Sequence, residues 1–164
     1  MKKSLRFASA CLLGAVLVSC NRKSETELGA KVAHEKYSLE WVTNDIPATM
    51  MVGKATTVHI SVKNTGNWPW LNAAAANPPK PDGSYAVRLS YRWASADGKL
   101  LPQGSERGEL KATVPPGETA HFSVEVLSPQ QSGSYRLEVD LVEELVAFFS
   151  AMGSQKLTVP VTVQ

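Results

Sequence analysis

Few side chains in this sequence are of a type and spacing that could do chemistry. Cys20 closes an apolar run, and its thiol is the group that can form a thioether, which survives where an oxygen ester would hydrolyse; the only other cysteine, Cys11, lies inside the run. Trp68 and Trp70 flank Pro69 within residues 65–84, "TGNWPWLNAAAANPPKPDGS". Exposed, the two indoles would make an apolar platform for a sugar face or a partner protein, with Asn67, Asn72 and Asp82 as polar contacts; folded back, they would cap a core. His59 and His121 offer two imidazoles, with Met50 and Met51 nearby in sequence, and such a set suits copper. Two histidines do not complete a site, however, and His34 falls in a polar segment. Glu143 and Glu144 are adjacent, so on an extended strand they point to opposite faces and make no facing acid–base pair. Glu138 and Asp140, on an outward face, read as hydrated. There is no nucleophile elbow, helix-borne metal motif or phosphate loop, so the chain reads as a binding protein and not an enzyme.

The elements that position these residues begin with an export signal. Lys2, Lys3 and Arg6 precede an apolar stretch from Phe7 to Val18 and then small Ser19, which is the layout of a secretory signal. The stretch is too short to span a bilayer, which takes roughly 20 apolar residues. Leu17-Val18-Ser19-Cys20 resembles the lipobox of bacterial lipoproteins. That resemblance implies cleavage after residue 19, diacylglyceryl and N-acyl lipid on Cys20, and no other cofactor. Asn21 stands where the enterobacterial family places the aspartate that retains such proteins in the inner membrane, so the same resemblance implies the periplasmic leaflet of the outer membrane.

Removing the signal changes the charge and the cysteine count. Lys and Arg number 17 against 15 for Asp and Glu, and without Lys2, Lys3 and Arg6 the balance becomes 14 against 15. A near-neutral chain lacks the basic face that nucleic acid requires. With one cysteine discarded and one acylated, no disulfide is expected, and packing alone must hold the fold. Residues 21–36 are polar and of mixed charge, reading as a tether with a reach of about 20 Å as a coil. Residues 37–164 read as one domain.

In that domain the apolar pattern has period two, the mark of half-buried strands. Val58, Ile60 and Val62 share a face, as do Tyr85, Val87, Leu89, Tyr91 and Trp93; Phe122, Val124 and Val126; Tyr135, Leu137, Val139 and Leu141; and Leu157, Val159, Val161 and Val163. Pro160 demands an edge, because it cannot donate to a ladder. Turn signals separate the runs at Asn64-Thr65-Gly66, Ala96-Asp97-Gly98, Pro115-Pro116-Gly117 and Pro129 to Gly133. Further strands near residues 39–42 and 50–52 bring the total to about seven, an all-β sandwich. Leu141, Leu145, Phe148 and Met152 recur at helical spacing, leaving a helical turn or a bulged strand open there.

Gly133-Ser134-Tyr135-Arg136-Leu137 resembles the tyrosine corner of immunoglobulin-like domains, with Trp93 as the central indole. Residues 46–163 are similar to bacterial immunoglobulin-like modules, and also to the tryptophan-rich domain of a selective-autophagy receptor family. The resemblance implies an immunoglobulin-like antiparallel β-sandwich and no shared catalytic set. Two functions are expected from it together with the lipobox. One is a lipid-anchored adaptor that holds an envelope protein through a sheet edge or the Trp68/Trp70 loop; the other is a module binding an envelope glycan.

Overall fold

The computed structural model describes residues 29, 31, 35–77, 85–102 and 106–164, so the signal segment, Cys20, His34, most of the tether and Asp82 lie outside the described residues. Nine strands are described: β1 (Leu39–Asn44), β2 (Thr49–Met50), β3 (Ala55–Asn64), β4 (Val87–Ser95), β5 (Arg107–Glu109), β6 (Thr119–Leu127), β7 (Gly133–Glu143), β8 (Ala147–Phe148) and β9 (Leu157–Val163). They form two sheets, one ordered β1-β3-β6 and the other β2-β9-β7-β4-β5, with β8 added to β7. Placing β3 beside β6 and β7 between β4 and β9 gives the Greek-key order of an immunoglobulin-like sandwich.

Period-two patterning explains why the sheets close on each other. In β6 the burial alternates without a break, Ala120, Phe122, Val124 and Val126 inside and Thr119, His121, Ser123 and Glu125 outside. Val58, Ile60 and Val62 join them from β3 and meet Leu89, Tyr91, Trp93, Leu137, Val139, Leu141, Val161 and Val163 from the facing sheet. Burying each large aliphatic side chain stabilises by about 1.5–3 kcal/mol. Two aromatics of β4 also pin the end of β6: Trp93 Nε1 donates to the Leu127 carbonyl at 2.9 Å, and the Leu127 N–H donates to the Tyr91 hydroxyl at 3.0 Å. The tyrosine corner is formed, with Tyr135 donating from its hydroxyl to the Gln131 carbonyl at 3.0 Å while its ring meets Trp93 edge-on.

Three features depart from or refine the sequence reading. The two early strands join different sheets: β1 pairs antiparallel with β3, whereas β2 pairs parallel with β9, so the sandwich is not purely antiparallel. The C-terminal crossover contains the helical turn, a 3-10 helix at Phe149–Met152, and in place of a bulged extension a two-residue β8 hairpinned on β7 precedes it. The hairpin turn places Leu145 at φ +62°, a left-handed conformation that costs a leucine about 1–2 kcal/mol. Finally, the folded body starts before residue 37. Residues 35–37 make a helical turn, and the Glu35 carbonyl accepts the Asn67 N–H at 2.9 Å. Gly66 permits this approach, since a Cβ there would lie 2.6 Å from the Lys36 carbonyl oxygen.

Candidate functional site

The loop expected to display two indoles is folded onto the end of the sandwich. Trp70 is 1% exposed, exchanges backbone hydrogen bonds with Val114 (2.9 and 2.8 Å) and packs edge-on against Phe149 at 5.6 Å. The platform reading is therefore corrected for Trp70: its apolar area is worth more in the core than on a rim already closed by Phe149. Trp68 is half-buried, with the Lys36 ammonium 5.4 Å from its ring centre. Asn67 is exposed and lies against Glu35. Asn72 is occupied in holding its own loop, its Oδ1 accepting the Ala75 N–H at 3.2 Å and the Thr113 hydroxyl at 3.3 Å. Of the predicted ligand-binding set, Trp68 and Trp70 line one small cavity with Tyr37, Glu143 and Phe149, Asn67 and Asn72 do not join them there, and Asp82 falls outside the described residues.

Beneath Trp68 sits a charge network that the sequence pattern did not announce. Glu143, at the end of β7, is 2% exposed. Its carboxylate accepts from Lys36 Nζ at 2.9 Å, from the Tyr37 hydroxyl at 2.6 Å and from the Tyr85 N–H at 3.1 Å. Three donors offset the desolvation of the carboxylate. Burial, and then the adjacent Glu143, push the Tyr37 hydroxyl well above the usual phenol range. The network ties Lys36 and Tyr37 to the last residue of β7. Its neighbour Glu144 points the other way and pairs with Arg107 at 3.0 Å and Arg88 at 3.6 Å, as adjacent strand positions must.

The sheet edges differ in how they are protected, and that difference locates the candidate site. An unpaired edge is a template for another strand, and proteins blunt it with short strands, bulges or proline. The β1 edge carries a register shift between Trp41 and Thr43. The β5 edge is three residues long. On β9, the Thr162 N–H donates to the Ala48 carbonyl on the β2 side, so by alternation Pro160 lacks its N–H on the side away from β7. Proline there costs no ladder bond and leaves the outer edge without a donor, which is the edge position its presence demanded.

The β6 edge has none of these devices. Its ladder with β3 runs unbroken from Ala55 opposite Leu127 to Lys63 opposite Thr119. Asn64 N–H to the Glu118 carbonyl at one end and Ser128 N–H to the Lys54 carbonyl at the other show that even-numbered residues of β6 bond to β3. Thr119, His121, Ser123 and Glu125 therefore direct their backbone groups away from β3, and among the described residues no strand is hydrogen-bonded to them, although β5 packs beside β6 with Gly108 against Val124 and Phe122. Alongside runs an open cleft of about 570 Å³, lined by His59, Ser61, His121 and Ser123 on the sheet and by Arg107, Glu109 and Lys111 opposite. Gly108 is tucked against the core at its base, where a Cβ would lie 3.2 Å from that of Leu89.

His59 and His121 do share the outer face of neighbouring strands, in diagonal positions set by His59 opposite Ser123 and Ser61 opposite His121. Each ring is engaged within the protein: His59 Nδ1 lies 2.8 Å from Asp45 Oδ2, and His121 Nδ1 lies 2.9 Å from Ser61 Oγ. The His59 backbone N–H holds the Asp45 carboxyl below the usual aspartate range. Among the described residues no group of three or more potential ligands is placed to hold a metal ion, and no helix is long and apolar enough to cross a membrane.

No protein-family model matches the chain, and no curated protein matches it in sequence. Among solved structures, the chain is similar to the CARDB domain of a Pyrococcus furiosus protein, determined in complex with di-metal ions: 17% identity over 77% of this chain and 88% of that one, TM-score 0.45. It is similar at 11% identity to the C-terminal domain of wzt, over 77% of this chain and 73% of that one, TM-score 0.46. It is also similar at 15% identity to a β-glucosidase from Listeria innocua, over 77% of this chain but 16% of the enzyme, TM-score 0.43. The chain is an all-β protein with an immunoglobulin-like β-sandwich, as its strand order and register require.

Proposed function

We propose that this chain is a lipid-anchored adaptor of the cell envelope, acting by binding and not by catalysis, and that it takes an extended segment of a protein partner along the open edge of β6. The observation that carries the reading is the contrast among edges: nine regular residues of β6, free of proline and bulge, beside three other edges that are blunted. In strand addition, main-chain hydrogen bonds supply affinity and the flanking surface selects alternate side chains. Here the four outward positions from Thr119 to Glu125 supply the bonds, and the cleft between His121 and Lys111 supplies the selecting surface. The export-signal layout and the lipobox resemblance at Cys20 support a membrane site facing the periplasm, and Asn21 favours the outer membrane. No observation favours the glycan reading, because it needs paired exposed indoles and Trp70 lies in the core.

The test uses the full acylated chain in intact envelopes, with a photo-crosslinking residue in place of Glu125. The expected result is one partner whose cross-linked peptide is extended and whose capture is lost in Ser123→Pro. That variant removes an outward donor and leaves every β3–β6 bond in place. The same partner captured undiminished by a folded Ser123→Pro chain would overturn the reading. Mass spectrometry of the N-terminal peptide checks the anchor: acyl chains on Cys20 are expected, and a free thiol contradicts them.

A further inference from the structure

The turn between β7 and β8 is built against the interest of folding. Leu145 takes a left-handed backbone conformation that glycine or asparagine adopts more readily, and it leaves 87% of its surface exposed, with Val146 beside it 45% exposed. A leucine at such a position gains no burial within the chain. Nor is the turn loose: the Glu144 N–H donates to the Ala86 carbonyl at 3.0 Å, the Val146 N–H to the Glu143 carbonyl at 3.1 Å, and Glu143 and Glu144 are both ion-paired. Two aliphatic side chains are thus presented on a rigid projection.

That projection stands where the tether enters the domain. Lys36 Nζ lies 2.9 Å from the carboxylate of Glu143, two residues from Leu145. Fifteen residue steps separate Cys20 from Glu35, about 20 Å on average as a coil and about the same in a helix, the state of residues 29, 31 and 35. The opposite pole, where the β4 turn carries Lys99, is farther by the length of β7, about 35 Å at ~3.3 Å per residue. A lipid on Cys20 therefore favours the Leu145 pole at the bilayer over the opposite pole, with exposed Met51 and Leu127, which only a nearly extended segment would bring to the membrane.

We infer that Leu145 and Val146 dock into the headgroup region of the phospholipid bilayer that holds the anchor, fixing the sandwich upright with the β6 edge running away from the membrane. This rests on the acylation of Cys20 proposed above. Two aliphatic side chains bind a bilayer weakly by themselves, and the anchor supplies the effective concentration that makes the contact persist.

The experiment uses the mature acylated chain in vesicles of phosphatidylethanolamine and phosphatidylglycerol containing brominated lipid. Acylation leaves no free thiol, so Val146→Cys or Lys99→Cys accepts a polarity-sensitive fluorophore at one site. The chain is expected to float with the vesicles, with the label at 146 blue-shifted and quenched and the label at 99 unaffected. Adding Leu145→Asn, which suits the turn, is expected to reduce quenching at 146 to the level at 99 while flotation persists. Flotation without quenching at 146, quenching unchanged by Leu145→Asn, or a label shielded from aqueous quencher but untouched by brominated lipid, as a protein partner would make it, overturns the docking and leaves the anchor standing. A chain that does not float overturns the anchor and the docking with it.

Discussion

The sheet of β1, β3 and β6 shows one face to the core and the other to water, while the sheet built around β4 and β7 buries parts of both its faces. Every outward residue of β6 is exposed or half-exposed. In β7, by contrast, Asp140 and Val142 are buried on the second face, because the segment from Ala147 to Lys156 folds back over it. Arg92 lies under Phe148, and Asp140 accepts the Ser150 N–H at 3.3 Å. Polar groups of one sheet are spent on holding the protein together, and those of the other are open to a partner. Edge protection is uneven as well, with Pro160 on the covered sheet, a register shift on β1 of the open sheet and nothing comparable on β6.

The sharpest way to break this comparison is a pair of neighbouring prolines. Val124→Pro removes an N–H that donates to β3 and places the ring in the core, so it should cost well over about 3 kcal/mol and abolish cooperative melting. Ser123→Pro, one residue away, should change the melting temperature little. Equal damage from both would mean that β6 is bonded on both sides. Next in size, Glu143→Ala leaves Lys36 and Tyr37 facing an empty buried position and should cost about 3 kcal/mol by denaturant unfolding. An equivalent change on the open sheet, Glu125→Ala, should fall within about 0.5 kcal/mol.

A smaller effect sharpens the contrast through pH. Burial raises the Asp140 carboxyl above the ordinary value of 3.8, and its Oδ2 has no hydrogen-bond partner. A raised folded value means that this group's contribution is fully present below pH 3.8 and is lost as pH rises through the folded value. Asp140→Asn should therefore stabilise the protein at pH 7 by about 1 kcal/mol, with the gain vanishing in acid. Asp45 on the open sheet behaves oppositely, its carboxyl held low by the His59 N–H, so its small contribution disappears as pH falls below 3.8. Thermal melts of Asp140→Asn and Asp45→Asn between about pH 2 and 7 separate the two signs.

The open sheet was far more legible in the sequence than the covered one. Alternation named Val58, Ile60, Val62, Phe122, Val124 and Val126 correctly because each face of those strands meets a single environment. The tyrosine corner and the edge role of Pro160 were legible for a similar reason, being local backbone chemistry. Alternation failed on Asp140, read as hydrated, because the cover over it comes from residues ten or more positions away. It was silent on β5, whose only buried residue is a glycine, and on Lys36, which looks like tether until Glu143 is placed beside it. Trp70 was left between core and surface, and only Phe149 and Val114 decide it. That β6 is an edge depends on strand order, which periodicity does not encode.

Residue-resolved amide hydrogen exchange on the isolated protein, repeated with its captured partner, tests the open edge most directly. The N–H groups of His121, Ser123 and Glu125 should exchange rapidly alone and slow together on binding, while those of Ala120, Phe122 and Val124 stay protected throughout. Uniform protection along β6 in the isolated chain, or rapid exchange at His121, Ser123 and Glu125 that the partner leaves unchanged, would contradict the account.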